Sequence, residues 1–362
     1  MEEQIYKNKN KKGLNPIIIA GPCSAETEEQ TVKTALLISE IPEVSIYRAG
    51  IWKPRTKPGT FEGVGIKALP WLRKVKEQTN LKVAVEVAYP EHVEICLKNP
   101  ESIDMIWIGA RTTVNPFSVQ AIADALQGSS IPVMIKNPIN PDVGLWKGAT
   151  ERIMKSGVSD ITAIHRGFYP FSETYLRNLP KWELALDYRL EFPEIPIVND
   201  PSHISGKRKY LQSIAQRAMN LNFDGLMIET HISPETALSD SEQQLTPEAL
   251  KELIHNITFR KSDYDDKIYK DILHEYREQI DSIDFQLLEL LSKRMKVVEN
   301  IGDYKMKNNV SVFQLKRWVD IIQSRIELGE SLGIDESFVK KMLQLVHQES
   351  IKRQSLIMNG NE

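Results

Sequence analysis

Two periods of apolar residues divide the chain. Up to about residue 258, short β-branched runs alternate with longer polar, helix-like stretches. The runs are Pro16–Ala20, Ser45–Arg48, Lys82–Val87, Met105–Gly109, Pro132–Lys136, Ile161–His165, Pro196–Val198 and Gly225–Glu229. Strands spaced this way, with crossover segments between them, read as parallel βα units. Eight such units in roughly 250 residues predict an α/β fold, a (β/α)8 barrel. An open doubly wound sheet would call for a Gly-x-Gly-x-x-Gly turn after its first strand, and Gly21-Pro22-Cys23-Ser24-Ala25 is not that.

From about Asp265 the period changes. Ile272, Tyr276, Ile280, Ile283, Leu287, Leu290, Met295, Val298, Ile301 and Tyr304 recur every three to five residues, and no proline follows Pro247. The spacing predicts one long amphipathic helix. A second helix is expected near Leu315–Leu328 and a third over Glu336–Leu356, with Asp335 as its N-cap. The expected organisation is a barrel over 1–258, a linker over 259–265 and an all-helical, three-helix domain over 266–362.

Composition narrows the function classes. The 362 residues carry 46 Lys and Arg against 49 Asp and Glu, a net charge of −3, which argues against a general nucleic-acid binder. No run approaches the roughly 20 apolar residues of a membrane span, and the polar N-terminus lacks the apolar core of a secretory signal. Two cysteines, Cys23 and Cys96, exclude a disulfide framework and point to a reducing cytoplasm.

Barrel chemistry collects at the C-terminal ends of the strands. Arg48, Lys53, Arg55, Arg111, Lys136 and Arg166 fall there. Six cations at equivalent strand ends suit two phosphates and a carboxylate, because Arg and Lys give charge-assisted hydrogen bonds to both. Singly, each could be a solvated loop charge. Cys23, His203, Glu229 and Asp240 also fall at strand ends or just beyond. A thiolate, an imidazole and two carboxylates suit a borderline divalent metal such as manganese, iron or zinc. The separate alternatives are a small buried hydrophobe for Cys23, a helix cap for His203 and a loop residue for Asp240.

These segments resemble 3-deoxy-D-arabino-heptulosonate 7-phosphate (DAHP) synthases of the compact type I-beta group. The resemblance runs over about residues 15–258 through GPCS at 21–24, KPRT at 53–56, GAR at 109–111, Lys136, HRG at 165–167, DPSH at 200–203 and ETHISPETALSD at 229–240. It implies that Arg48, Arg111, Lys136 and Arg166 hold phosphoenolpyruvate, and that Lys53, Arg55 and Thr56 meet erythrose 4-phosphate. It implies that Cys23, His203, Glu229 and Asp240 bind the divalent metal, manganese first, with iron, zinc or cobalt as alternatives. The implied reaction joins the methylene carbon of phosphoenolpyruvate to the aldehyde, with Lys53 or Lys136 handling protons.

In the tail, Arg294 and Lys305 are almost three helical turns apart, so they share a face about 16 Å long. Arg277 lies about 26 Å before Arg294 along the same helix, too far for one small ligand. If all these cations serve one kind of site, Arg277 serves the copy on a partner chain, which predicts a homodimer of intertwined helical units. The plain alternative is surface charge on amphipathic helices. The pattern Arg277, Asp284, Arg294, Lys305, Arg317, Ser350, Gln354 resembles the all-helical chorismate mutase family over about 263–356. It implies a pocket for chorismate and prephenate lined by Arg277 of the other chain, Arg294, Lys305, Gln314, Arg317, Ser350 and Gln354, with Arg294 and Lys305 catalytic. Gln314 stands where the family has an acidic residue on the substrate hydroxyl, and Trp318 where it has Glu or Gln. Gln314 can still hydrogen-bond, whereas the Trp318 side chain cannot accept. The alternative role for the tail is a chorismate- or prephenate-sensing module that inhibits the barrel.

Overall fold

The computed structural model describes residues 16–53, 59–170, 174–260 and 266–359. The chain separates into two compact units, Met1–Ser262 and Asp263–Glu362.

In the first unit eight strands run in sequence order round a closed, all-parallel barrel. They are β1 (Ile17–Gly21), β2 (Val44–Arg48), β3 (Lys82–Val87), β4 (Met105–Ile108), β5 (Val133–Lys136), β6 (Ile161–His165), β7 (Ile197–Asn199) and β8 (Gly225–Glu229). All eight predicted runs are strands, with boundary shifts of a residue or so. The surrounding helices are α1 (Glu28–Ser39), α2 (Leu69–Gln78), α3 (Pro90–Lys98), α4 (Ala110–Thr113), α5 (Pro116–Ala125), α6 (Val143–Lys155), α7 (Trp182–Glu191), α8 (Pro201–Ser205), α9 (Leu211–Asn220) and α10 (Pro247–Asn256).

The runs lack a polar face because nearly every strand position is buried, Ser45 and Lys82 being the exposed exceptions. Successive side chains point to opposite faces. On β4, Ile106 and Ile108 join the layer beneath the helices, while Met105 and Trp107 point inward. Trp107 shares an inner apolar cluster with Ile19, Ile46, Met134, Ile164, Val198 and Met227, so the lumen is a packed core rather than a pore. Helix starts are fixed by side chains: Thr27, Asn115, Asp142 and Thr246 accept from backbone N–H groups at the starts of α1, α5, α6 and α10. Each such cap contributes about 1 kcal/mol. At the end of β1, Gly21 has φ +143°, and a Cβ there would lie 2.1 Å from the Arg48 carbonyl oxygen. Only glycine lets the chain leave β1 so close to the end of β2.

The second unit has three helices, α11 (Lys267–Lys307), α12 (Leu315–Ser331) and α13 (Glu336–Asn359). Asp266 caps α11 by accepting from the Tyr269 N–H at 2.8 Å. Asp335, as expected, accepts from the Phe338 N–H at 2.9 Å before α13. At 41 residues α11 is about 60 Å long. Of its apolar row, Met295 and Val298 are buried, whereas Ile272, Tyr276, Ile280, Ile283, Leu287 and Leu290 are exposed on the single chain.

Candidate active site

The barrel mouth gathers what the strand ends deliver. One cleft is lined by Cys23, Arg48, Lys53, Arg111, Lys136, Arg166, His203 and Asp240, together with Glu86. Glu229 lies fully buried beneath it, 3.1 Å from Arg48 Nη2 through Oε1. Every described barrel residue singled out from the sequence is therefore in one place. Arg55 and Thr56 lie outside the described residues.

Arg48 is almost wholly buried, yet its Nε and Nη1 have no hydrogen-bond partner among the described residues. Its guanidinium sits 5.0 Å from the Trp107 ring centroid, and Lys136 Nζ 5.9 Å from the same ring. Both cations therefore lie within reach of the same aromatic face. Lys136 Nζ also contacts Asp200 Oδ2 at 2.9 Å, and Lys53 Nζ contacts Glu86 Oε2 at 3.4 Å. Arg166 Nη1 donates to Asn178 Oδ1 at 2.8 Å. The Nε and Nη1 donors of Arg48, buried beside Lys136 and Arg166, suit anionic oxygens.

The acidic wall is equally compact. One ligand atom from each of Cys23, Glu229 and Asp240 lies within 4.8 Å of the others. His203 Nε2 is 3.7 Å from Glu229 Oε1 and 4.0 Å from Asp240 Oδ2. Cys23 Sγ donates to Asp240 Oδ2 at 3.3 Å. Burial, with the Glu229 and Asp240 charges beside it, pushes the Cys23 thiol up to about 12. Burial also holds His203 below its ordinary range against the pull of Asp200, and a neutral imidazole is the metal-binding form. Glu229 Oε1 is buried with no hydrogen-bond partner among the described residues. A soft thiol, a neutral imidazole and two carboxylates gathered this closely fit a divalent cation.

Supporting residues escaped the sequence reading. Asp200 caps α8, accepting from the His203 N–H through Oδ1 at 3.1 Å, and its Oδ2 faces His203 Nδ1 at 2.8 Å. Burial opposes the Asp200 charge, but His203 and Lys136 hold the carboxyl well below the usual range. Arg177 donates to Asp240 Oδ1 at 3.0 Å and to Gln243 Oε1 at 2.7 Å, and Gln243 donates to Glu229 Oε2 at 2.6 Å. Gln244 Oε1 accepts from the Cys23 N–H at 2.9 Å. This shell fixes the ligand orientations. Glu86 also lines the cleft, although it lies inside the Lys82–Val87 run, where nothing in the sequence marks it. Gly109 makes that place available, since a Cβ there would lie 2.1 Å from Glu86 Oε1.

The helical unit brings together part of its expected set. Arg294 Nη1 donates to Ser350 Oγ at 2.7 Å, and Lys305 Nζ to the Val312 carbonyl at 2.5 Å. Gln354 is buried, and its Oε1 has no partner among the described residues. Gln314 shares an apolar hollow with Lys305, Val297, Ile301, Tyr304 and Val310. Arg277 and Arg317 are exposed on the single chain and are not drawn into this group.

Known proteins divide the chain in the same way. Residues 3–262 match the DAHP synthetase I family model, and residues 276–355 match that of chorismate mutase type II. A phospho-2-dehydro-3-deoxyheptonate aldolase of Thermotoga maritima is 34% identical over 240 residues, covering 66% of this chain and 68% of that one. The crystal structure of the Thermotoga maritima DAHP synthase superposes with a TM-score of 0.58 at 32% identity, over 66% of this chain and 67% of that one. A bifunctional chorismate mutase/prephenate dehydratase of Buchnera aphidicola is 30% identical over 90 residues, 25% of this chain and 23% of that enzyme. The chain belongs to the DAHP synthetase I family, and after its barrel residues 276–355 are similar to chorismate mutase type II.

Proposed function

We propose that the barrel condenses phosphoenolpyruvate with erythrose 4-phosphate to DAHP, the first step of the shikimate route to aromatic amino acids, and that the helical unit rearranges chorismate to prephenate. The observation that carries the first half is the meeting of the cationic cleft and the Cys23, His203, Glu229, Asp240 cluster in one mouth. Arg48, Arg111, Lys136 and Arg166 hold phosphoenolpyruvate, and Lys53, with Arg55 and Thr56, receives the aldose phosphate. Neutralising the phosphates lets the enol carbon approach the aldehyde, so part of the barrier is met by positioning. Burial pulls the Lys136 ammonium below its ordinary range, whereas the net effect at Lys53 is upward. Either lysine, Lys53 or Lys136, is placed in the cleft to handle a proton.

Cys23, His203, Glu229 and Asp240 hold a divalent cation, manganese in the first instance. When bound, it supplies Lewis-acid polarisation of a carbonyl oxygen. In the helical unit, Arg294 and Lys305 grip the substrate carboxylates and place positive charge near the breaking ether bond. Gln314, Arg317, Ser350 and Gln354 complete the wall with Arg277 of the partner chain. The exposed apolar row of α11 supports a homodimer built through this unit. We place the protein in the cytoplasm, in keeping with its two free, buried thiols. No helix among the described residues is long and apolar enough to cross a membrane.

Both reactions are assayed on the full chain. With phosphoenolpyruvate, erythrose 4-phosphate and manganese it is expected to form the seven-carbon product, and chelator is expected to remove this activity. Full activity in chelator would overturn the metal assignment. Arg294→Ala and Arg277→Ala are each expected to abolish prephenate formation, and mixed dimers of the two to recover part of it. Failure to recover would count against a shared site.

A further inference from the structure

His347 belongs to none of the residue sets above. It lies on α13 three residues before Ser350 and seven before Gln354, so the three share a helix face. Its ring stacks on Trp318, with centroids 3.9 Å apart and planes 12° from parallel, and Phe313 leans on it at 6.0 Å. Its Nε2 is buried and has no hydrogen-bond partner among the described residues. Desolvation, then the charges of Arg294 and Lys305, hold the imidazole below its ordinary range. The ring is thus neutral at pH 7 and lies within the field of the two cations that define the pocket.

Buried polar atoms in folded proteins find partners, and an orphaned one needs an explanation. Two orphans, His347 Nε2 and Gln354 Oε1, occur on this one face. A ligand drawn in by Arg294 and Lys305 carries anionic oxygens. The neutral imidazole tautomer with its proton on Nε2 offers such an oxygen a donor.

We propose that His347 is a specificity-determining residue of the helical site, donating from Nε2 to an anionic oxygen of the bound dicarboxylate while the Trp318 stack fixes the ring. The large apolar side chain at 318 then has a task. It cannot hydrogen-bond the substrate as an acceptor, but it orients a side chain that can donate. The proposal rests on the reading of this unit as a chorismate-to-prephenate site.

The test uses the full chain and two variants. His347→Phe keeps a ring against Trp318 and removes the donor. His347→Gln keeps an N–H at similar reach. With thermal unfolding unchanged, His347→Phe is expected to lower kcat/KM for prephenate formation by on the order of tenfold or more, the worth of a hydrogen bond to a charged group. His347→Gln is expected to stay close to wild type. Wild-type kcat/KM in His347→Phe would overturn the proposal, and so would equal losses in both variants. If the wild-type chain forms no prephenate, the mutase reading falls and calorimetry with prephenate decides about His347. Tenfold weaker binding by His347→Phe then supports its role as a ligand contact; unchanged binding, or no binding by wild type, ends it.

Discussion

Asp200 shows how one carboxylate organises the barrel mouth. One oxygen caps α8, and the other faces both Lys136 and His203. Its motif, DPSH, is plain in the sequence, but the role is not, because Lys136 is 64 residues away. Cys23 and Asp240 are likewise 217 residues apart. Residue types at strand ends were therefore legible, while the contacts among them were not, since folding alone brings them together. Glu86 was obscured differently, because it lies inside an apolar run. Its position yields a prediction: Gly109→Ala should displace the Glu86 carboxylate and strip Lys53 of its partner. Misplacement of about 1 Å in a site can cost on the order of 100-fold. We expect a tenfold or greater fall in DAHP synthase kcat/KM with the fold retained by circular dichroism. His165 gives a pH prediction. Burial holds this imidazole down to about 4 from an ordinary 6.5, with Nε2 against the Pro180 carbonyl oxygen at 2.6 Å. The unfolded chain thus takes up a proton first. Stability is fully present above pH 6.5, drains away as the pH falls towards 4, and levels off below that. The loss is about 3 kcal/mol. Denaturant midpoints at pH 7, 5.5 and 4 should show this component in wild type and lack it in His165→Gln.

At the scale of elements, strands and long helices were readable because burial leaves a period behind. The β-branched runs marked all eight strands, and the spacing from Ile272 to Tyr304 marked α11. Hidden in that spacing was which apolar residues the chain buries for itself. Met295 and Val298 are covered within one chain, while the residues from Ile272 to Leu290 form an open row. An uncovered apolar row of this length suits the proposed dimer surface. A charge placed twice on the row, Ile280→Asp with Leu287→Asp, should convert an 83 kDa-class dimer (about twice the chain mass) into the 41.4 kDa monomer in light scattering. Prephenate formation should fall with it, on the order of 100-fold, as expected when one positioned charge leaves a site. A stable, fully active monomer would sink the shared-site reading.

At the scale of the molecule, the net charge of −3 conceals the cationic mouth, so a balanced total says little about anionic ligands. Strand order was legible because sequential parallel strands joined by crossovers leave few topologies open. Both apolar clusters of the barrel lie wholly at or before Phe259, so residues 1–262 carry a complete core. We expect that fragment to fold alone, with a single cooperative thermal transition and native far-ultraviolet dichroism. An aggregated or molten fragment would show that the barrel depends on its tail. The six tryptophans are split unevenly, five in the first unit and Trp318 alone in the second. Because Trp318 stacks on His347, it forms a natural optical probe: its emission senses the imidazole at its face and anything bound beside it. The spectrum of wild type minus that of Trp318→Phe should isolate this signal. Titrating prephenate should shift that difference spectrum while the five barrel indoles cancel, which turns a departure from the family pattern into a gauge of pocket occupancy.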